Sequence, residues 1–257
     1  MELNQLIMQK MTGLTDSEAR NIIGQLVKGA DVTEVYSPER VVAAARRMGL
    51  VGGLSQDLTT SDSDGMRWDF SEPEMRKRAI RHIKEDKPLL LIGSPMCTMF
   101  SSLQNLNWGK TQERDMAMKY KWQQACEHME FVATLYQMQI DAGRYFLHEH
   151  PQRASSWNLK CIAKILKDER VFRAEADMCQ YELRSADARG DGLVLKPTSF
   201  MTNSPCIAKR LSRKCTDPRA NWNAHRTSRL RGGVHSHSLL GLYTFCSASW
   251  RCMGNLS

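Results

Sequence analysis

Long apolar runs are missing from this sequence. No stretch approaches the ~18 residues that a helix needs to cross a bilayer, and the opening residues, MELNQLIMQKMTG, lack the apolar core of a signal peptide. The eight cysteines include no C-x-x-C pair, which argues against a disulfide framework and against the common zinc sites. We therefore expect a cytoplasmic or nuclear chain that is not secreted, has no membrane partner and holds no metal.

Acidic residues are almost absent from the C-terminal part. Between residues 207 and 257 nine Lys and Arg residues face a single acid, Asp217, and the formal net charge of the whole chain is +8. The preceding part is therefore electrically balanced, so any attraction to nucleic-acid phosphates that depends on excess charge must come largely from this segment or from local patches. Residues 206–257 also lack a sustained apolar period, and we expect an irregular basic tail there.

Periodic patterns divide the remaining chain into two parts. Thr15 and Glu18 are spaced as a capping box ahead of an apolar stripe, which predicts a helical extension over residues 1–30. Over residues 31–205, short apolar runs alternate with helical patterns. This rhythm predicts one α/β domain with a Rossmann-like, mostly parallel sheet and helices on both of its faces.

The boundaries of these elements follow from turn and cap signals. Helices are predicted to begin at Ser37, with Pro38 in the first turn, at Ser71, and near Gln112, the last running to residue 142. Strands are predicted over residues 32–36, 53–58, 88–92, 144–151, 176–183 and 198–202.

Polar side chains stand where several of these strands end. In an open parallel sheet, ligands bind outside the carboxyl ends of the strands. We therefore expect one site at this edge. Its candidate residues are Glu34, Tyr36, Ser37, Asp57, Cys97 and Glu149.

Two of these acids have ordinary explanations as well as functional ones. Asp57 lies ~20 residues beyond the first strand–helix turn, where nucleotide-binding sheets hold a ribose diol, but taken alone an ordinary loop aspartate is the simpler interpretation. Glu34 lies inside a short apolar run and could meet either an ammonium group or backbone donors. Half-exposed strand glutamates are also common.

Cys97 and Glu149 form a sharper pair. If their strands are neighbours, the strand ends lie ~5 Å apart and the thiol and carboxyl group converge on one cleft. A buried structural cysteine and a solvated loop acid are the alternatives. His148 and His150 flank the glutamate, so a cysteine hydrolase with a Cys–His pair is a further possibility.

Taken in chain order, these residues resemble the cytosine-5 DNA methyltransferases, which use S-adenosylmethionine on a Rossmann-like sheet. SPMCTMFS (94–101) is similar to the family's Pro-Cys motif, and LHEHP (147–151) to its glutamate motif. Residues 34–38 loosely resemble its first motif, and Asp57 matches its ribose-binding acid. GSPMCTMFSSLQ, GRYFLHEHP and KPTSFMTN are more specifically similar to methyltransferase-like domains of retrotransposon-type polyproteins.

The resemblance implies a chemistry and a partner. Cys97 would attack carbon 6 of cytosine, and Glu149 would engage ring nitrogen 3, so that carbon 5 takes the methyl group. The target base would be flipped from a duplex or presented single-stranded. DNA, rather than RNA, is the expected partner. The cofactor would be S-adenosylmethionine, and the residues implied to bind it are Glu34, Tyr36, Ser37, Asp57 and Pro95.

Four departures from the family pattern stand beside this resemblance. Met96 stands where a proline normally precedes the cysteine, Ser37-Pro38-Glu39 replaces a glycine-rich turn, the family's Gln-Arg-rich eighth motif is not evident, and no large target-recognition domain follows. The replaced turn and the missing domain favour an alternative, a catalytically inactive Rossmann-like module derived from a mobile element.

Overall fold

The computed structural model describes residues 29–109, 111–187 and 190–216. The predicted helical extension and most of the basic tail lie outside these residues.

A six-stranded, mostly parallel sheet forms the centre of the described chain. Its order is β2-β1-β3-β4-β8-β5, in which β1 to β4 are parallel and β8 runs antiparallel to both β4 and β5. The strands are β1 (Val32–Val35), β2 (Gly52–Gln56), β3 (Leu90–Gly93), β4 (Tyr145–Pro151), β5 (Phe172–Asp177) and β8 (Pro197–Thr202). A separate hairpin comprises β6 (Arg184–Asp187) and β7 (Gly190–Leu193). The predicted α/β class with a mostly parallel sheet is confirmed.

Helices cover both faces of this sheet. The described residues contain five: α1 (Val41–Arg47), α2 (Pro73–Asp86), α3 (Gln112–Asp141), α4 (Lys160–Leu166) and α5 (Pro205–Arg210). Alternate side chains of β3 point to opposite faces. Leu90 and Ile92 pack in the core that contains α1 and α5, whereas Leu91 packs in the core that contains α2, α3 and α4.

The sheet order creates a crevice at the carboxyl ends of β1 and β3. From β1, the chain crosses to β2 on one side and then returns to β3 on the other, and such a reversal leaves the loops after the two central strands apart. At the end of β3, Gly93 lets the backbone pass close to α3, because a Cβ atom there would lie 2.1 Å from the Tyr136 hydroxyl oxygen. The loop that carries Cys97 begins immediately after this glycine.

Two predicted helix starts are wrong in detail. The first helix begins at Val41 rather than at Ser37, because the Glu34 carboxylate, and not a serine hydroxyl, accepts the first helical amides. The second begins at Pro73. Ser71 does not cap it, since its hydroxyl donates to Asp69 instead.

The last third of the chain departs most from prediction. The strand predicted over residues 176–183 ends at Asp177, where a 3₁₀ helix, Met178–Tyr181, begins. The hairpin of β6 and β7 was not predicted. Helix α5 packs Ile207 into the core, and Leu211 is also buried there, so the fold continues past the predicted boundary at residue 205.

Candidate functional site

A cavity of about 480 Å³ opens at the carboxyl edge of the sheet. It lies over the crevice between β1 and β3, and it extends towards the ends of β2 and β4. Six of the seven predicted site residues line it: Tyr36, Ser37, Asp57, Pro95, Cys97 and Glu149. The seventh, Glu34, is fully buried below it.

Cys97 and Glu149 reach the cavity from neighbouring strands. β3 and β4 pair in parallel with Gly93 opposite His148, so the loop after β3 lies beside the end of β4, as predicted. Lys196 joins them from the segment before β8, and its Nζ lies 3.2 Å from a Glu149 carboxylate oxygen. The cavity thus holds a thiol, a carboxylate and an ammonium group together.

The surroundings of Cys97 raise the pKa of its thiol. Burial raises the pKa of Cys97 above its ordinary value, the positive charge of Lys196 lowers it, and the negative charge of Glu149 raises it. Since only the thiolate is a strong nucleophile, Lys196 favours the reactive form and Glu149 opposes it.

We predict opposite effects of these two charges on the reactivity of Cys97. Lys196→Met raises the pKa of Cys97 further and slows its alkylation by iodoacetamide near pH 8, whereas Glu149→Gln lowers the pKa and speeds alkylation. Each change is expected to be roughly 3- to 10-fold, because the rate follows the thiolate fraction. Mass spectrometry of the Cys97 peptide across a pH series measures both rates.

Lys164→Met serves as the control for this experiment, because Lys164 is exposed on α4 and does not line the cavity. Changes of the same sign in the Lys196 and Glu149 variants would contradict the arrangement.

Asp57 lies directly after β2 and faces the same cavity. Its Oδ1 accepts hydrogen bonds from the backbone N–H and the hydroxyl of Thr59, at 3.0 and 2.7 Å. Within the described chain no hydrogen bond reaches the other oxygen, Oδ2. Arg40 also lines the cavity. Burial lowers the pKa of Arg40, while the charges of Glu34 and Asp57 raise it.

Glu34 supports the site from below rather than lining it. Its carboxylate accepts backbone N–H groups of Arg40, Val41 and Val42 at 2.8 to 3.3 Å, and the hydroxyls of Ser37 and Ser55 at 3.0 and 2.9 Å. Burial is the largest influence on its pKa and raises it. Of the two partners considered from sequence, the structure gives backbone donors.

Aromatic side chains form one wall of the cavity. Tyr36 has a left-handed backbone (φ 58°), which is rare for a non-glycine residue, and its side chain lines the cavity. Its hydroxyl lies 2.9 Å from His128 Nδ1 on α3, and its ring meets Phe70 edge-on at 4.8 Å. Trp68 completes this wall.

The two histidines beside Glu149 have other partners. His148 Nδ1 lies 3.0 Å from the Tyr136 hydroxyl, and His150 Nδ1 lies 2.8 Å from the Ser156 hydroxyl. Burial lowers the pKa of His150 to about 4, and that of His148 also falls well below its ordinary value. In the described chain, neither imidazole is hydrogen-bonded to Cys97.

Sequence reasoning missed Lys196, His128 and the aromatic wall. Lys196 precedes a strand, and the prediction looked for site residues only after strands. Because β8 is antiparallel, its start lies at the edge where the parallel strands end. His128 stands one residue before the apolar positions of α3, so the helical period alone could have placed it on the buried side.

Comparison with known proteins does not assign a function to this site. No protein-family model and no curated protein sequence matches the chain. Among the described residues no cluster of three or more His, Cys, Asp or Glu could hold a metal ion, and none of their helices combines the length and apolarity needed to cross a membrane.

Proposed function

We propose that this chain is an S-adenosylmethionine-dependent methyltransferase with a Rossmann-like fold. Its proposed substrate is cytosine in nucleic acid, DNA rather than RNA, and its proposed nucleophile is Cys97. The observation that carries the proposal is the meeting of Cys97, Glu149 and Asp57 in one cavity. Each comes from the end of a different parallel strand, at the crevice where such sheets bind nucleotide ligands.

The residues of the cavity fit the adenosine part of this cofactor. A ribose diol needs a carboxylate at the end of the second strand, and Asp57 lies there with Oδ2 unoccupied by other described residues. The apolar wall of Trp68 and Phe70 suits a planar base. Arg40 brings a positive charge for a carboxylate group. Glu34 does not fit the role implied for it, because its oxygens are occupied by α1.

The chain's own groups would then act on the target base. When bound, S-adenosylmethionine supplies an electrophilic methyl group. The Cys97 thiol would pass its proton to the Glu149 carboxylate, helped by the charge of Lys196, and the thiolate would add to carbon 6 of cytosine. The Glu149 carboxyl group would then donate this proton to ring nitrogen 3 and so disperse the charge that builds up on the ring. Once carbon 5 carries the methyl group, its proton would pass to water and the Cys97 thiolate would leave, which restores the aromatic ring.

Calorimetric titration with S-adenosylhomocysteine tests this proposal. We expect wild-type protein to bind in the micromolar range and Asp57→Ala to bind at least about 10-fold more weakly, because a hydrogen bond to a charged group is worth about 1.5–3 kcal/mol. Asp168→Ala is the control, since Asp168 pairs with Arg170 and does not line the cavity. It should bind like wild type.

A folded wild-type sample that does not bind would overturn the proposal. The inactive mobile-element module would then be the better description of the chain. If wild type and Asp57→Ala bound S-adenosylhomocysteine equally well, the cofactor would not be held by Asp57 at the end of β2.

A further inference from the structure

We propose that a second cavity, beside the first, binds the base next to the target base of a single-stranded polynucleotide. This inference rests on the proposed function, because it assigns the substrate of the same site. The cavity has a volume of about 390 Å³, which lies within the range of about 300–1,000 Å³ typical of ligand sites. Its walls include Phe100, Trp108, Trp122 and Arg153.

The two cavities lie on adjoining stretches of the same three elements. The loop after β3 gives Cys97 to the first cavity and Met99 to the second. Helix α3 gives Gln124 to the first and Trp122 to the second, and the end of β4 gives Pro151 and then Arg153. A chain with one unit at Cys97 therefore has its neighbouring unit within reach of the second cavity.

The second cavity is built rather than accidental. Trp122 meets Phe100 edge-on at 5.2 Å, and the Ser155 hydroxyl donates to the Phe100 carbonyl oxygen at 3.3 Å. These contacts fix one wall. Trp108 also lines the cavity, and 37% of its surface is exposed, so its ring is accessible for stacking.

Charge identifies the occupant as an anion that carries a flat ring. Among the described residues that line this cavity, Arg153 is the only charged one. It is exposed, and no acid among the described residues forms an ion pair with it. Stacking on tryptophan beside a free cation is how proteins hold single-stranded nucleic acid without reading its sequence. A base on Trp108 with its phosphate near Arg153 satisfies both features.

Fluorescence anisotropy with a labelled single-stranded DNA 12-mer that contains one cytosine tests this. Trp108→Ala is expected to weaken binding about 5- to 100-fold. Arg153→Gln should weaken it less, and should reduce the slope of log K against log salt by about 0.7. An abasic site beside the cytosine should weaken wild type but cause little further loss in Trp108→Ala.

Matched surface changes control for general effects. Phe172 is 39% exposed on the edge strand β5, and Arg81 is exposed on α2. Neither lines a cavity described above, so Phe172→Ala and Arg81→Gln should bind like wild type. Trp108→Phe, which keeps an aromatic face, should recover most of the binding. The same 12-mer as RNA shows which nucleic acid supplies the base.

The outcomes separate this inference from the proposed function. If S-adenosylhomocysteine binds all variants equally but Trp108→Ala holds the 12-mer as tightly as wild type, the second cavity is not a base subsite and the proposed function stands. If the 12-mer depends on Trp108 and Arg153 but the cofactor product does not bind, nucleic-acid binding stands and methyl transfer fails. Equal losses in Trp108→Ala and Phe172→Ala would overturn the subsite.

Discussion

Glu34→Ala is expected to lower the free energy of unfolding by about 3–5 kcal/mol. The substitution removes the acceptor of three backbone N–H groups at the start of α1, and of the Ser37 and Ser55 hydroxyls. The hydroxyls can turn to other partners, but each buried N–H group left without one costs about 1–3 kcal/mol. Urea unfolding followed by circular dichroism measures the loss.

Glu39→Ala is the matched control, because Glu39 is exposed and its pairing with Arg46 lies at the surface. Its unfolding midpoint should stay close to that of wild type.

Glu34→Gln adds a test of the effect of the Glu34 charge on stability. Burial raises the pKa of Glu34, so the folded state binds its proton more tightly than the unfolded chain does. Wild type should therefore gain stability relative to Glu34→Gln as pH falls through the interval between the two pKa values. If Glu34→Ala lost as little stability as Glu39→Ala, that result would contradict the role of Glu34 at the start of α1.

Cys97→Ala is expected to abolish covalent capture of DNA that carries 5-fluorocytosine. In wild type the thiolate would bond to carbon 6, and methylated carbon 5 would keep its fluorine. With no proton to lose there, the thiolate could not leave and the adduct would persist. Alanine has no nucleophile, so no band retarded on denaturing electrophoresis should form. The expected contrast is complete, because the bond is made by the sulfur itself.

Glu149→Gln provides the second arm of this experiment. It lowers the pKa of Cys97 but removes the carboxyl group that would bring a proton to ring nitrogen 3, so its Cys97 should be alkylated faster than in wild type and yet capture DNA more slowly. A variant that became faster in both reactions would contradict the role of Glu149. Phe172→Ala, on the far edge strand, should capture DNA at the wild-type rate.

The parts of the fold that local pattern controls could be predicted. The strands that became β1 to β4 and the long helix α3 have apolar runs or apolar faces bounded by turn residues, and these set an element without help from distant contacts. The strand predicted over residues 198–202 is also present, as β8, but the segment between Asp177 and β8 could not be predicted in the same way. There the chain turns into a 3₁₀ helix and a hairpin, whose short lengths leave no period to detect.

The candidate site was predictable to the extent that one rule applies to it. Parallel strands end at the same edge, so Asp57, Cys97 and Glu149 could be placed together without a structure. The place of Lys196 could not be predicted from that rule, because Lys196 precedes an antiparallel strand. The direction of β8 is set by its pairing with β4 and β5. The rule also placed Glu34 near the site, but its carboxylate binds the first amides of α1 instead of facing the cavity. No local pattern in the sequence indicates that orientation.

The intact mass of wild-type protein after incubation with 5-fluorocytosine DNA and S-adenosylmethionine tests the central claim most directly. The account predicts one added mass, equal to the oligonucleotide plus CH₂ (a methyl group gained and the thiol hydrogen lost), attached to the peptide that contains Cys97 and missing from Cys97→Ala. Unmodified protein from a folded sample that binds both the oligonucleotide and S-adenosylhomocysteine would contradict it, as would attachment at any other cysteine.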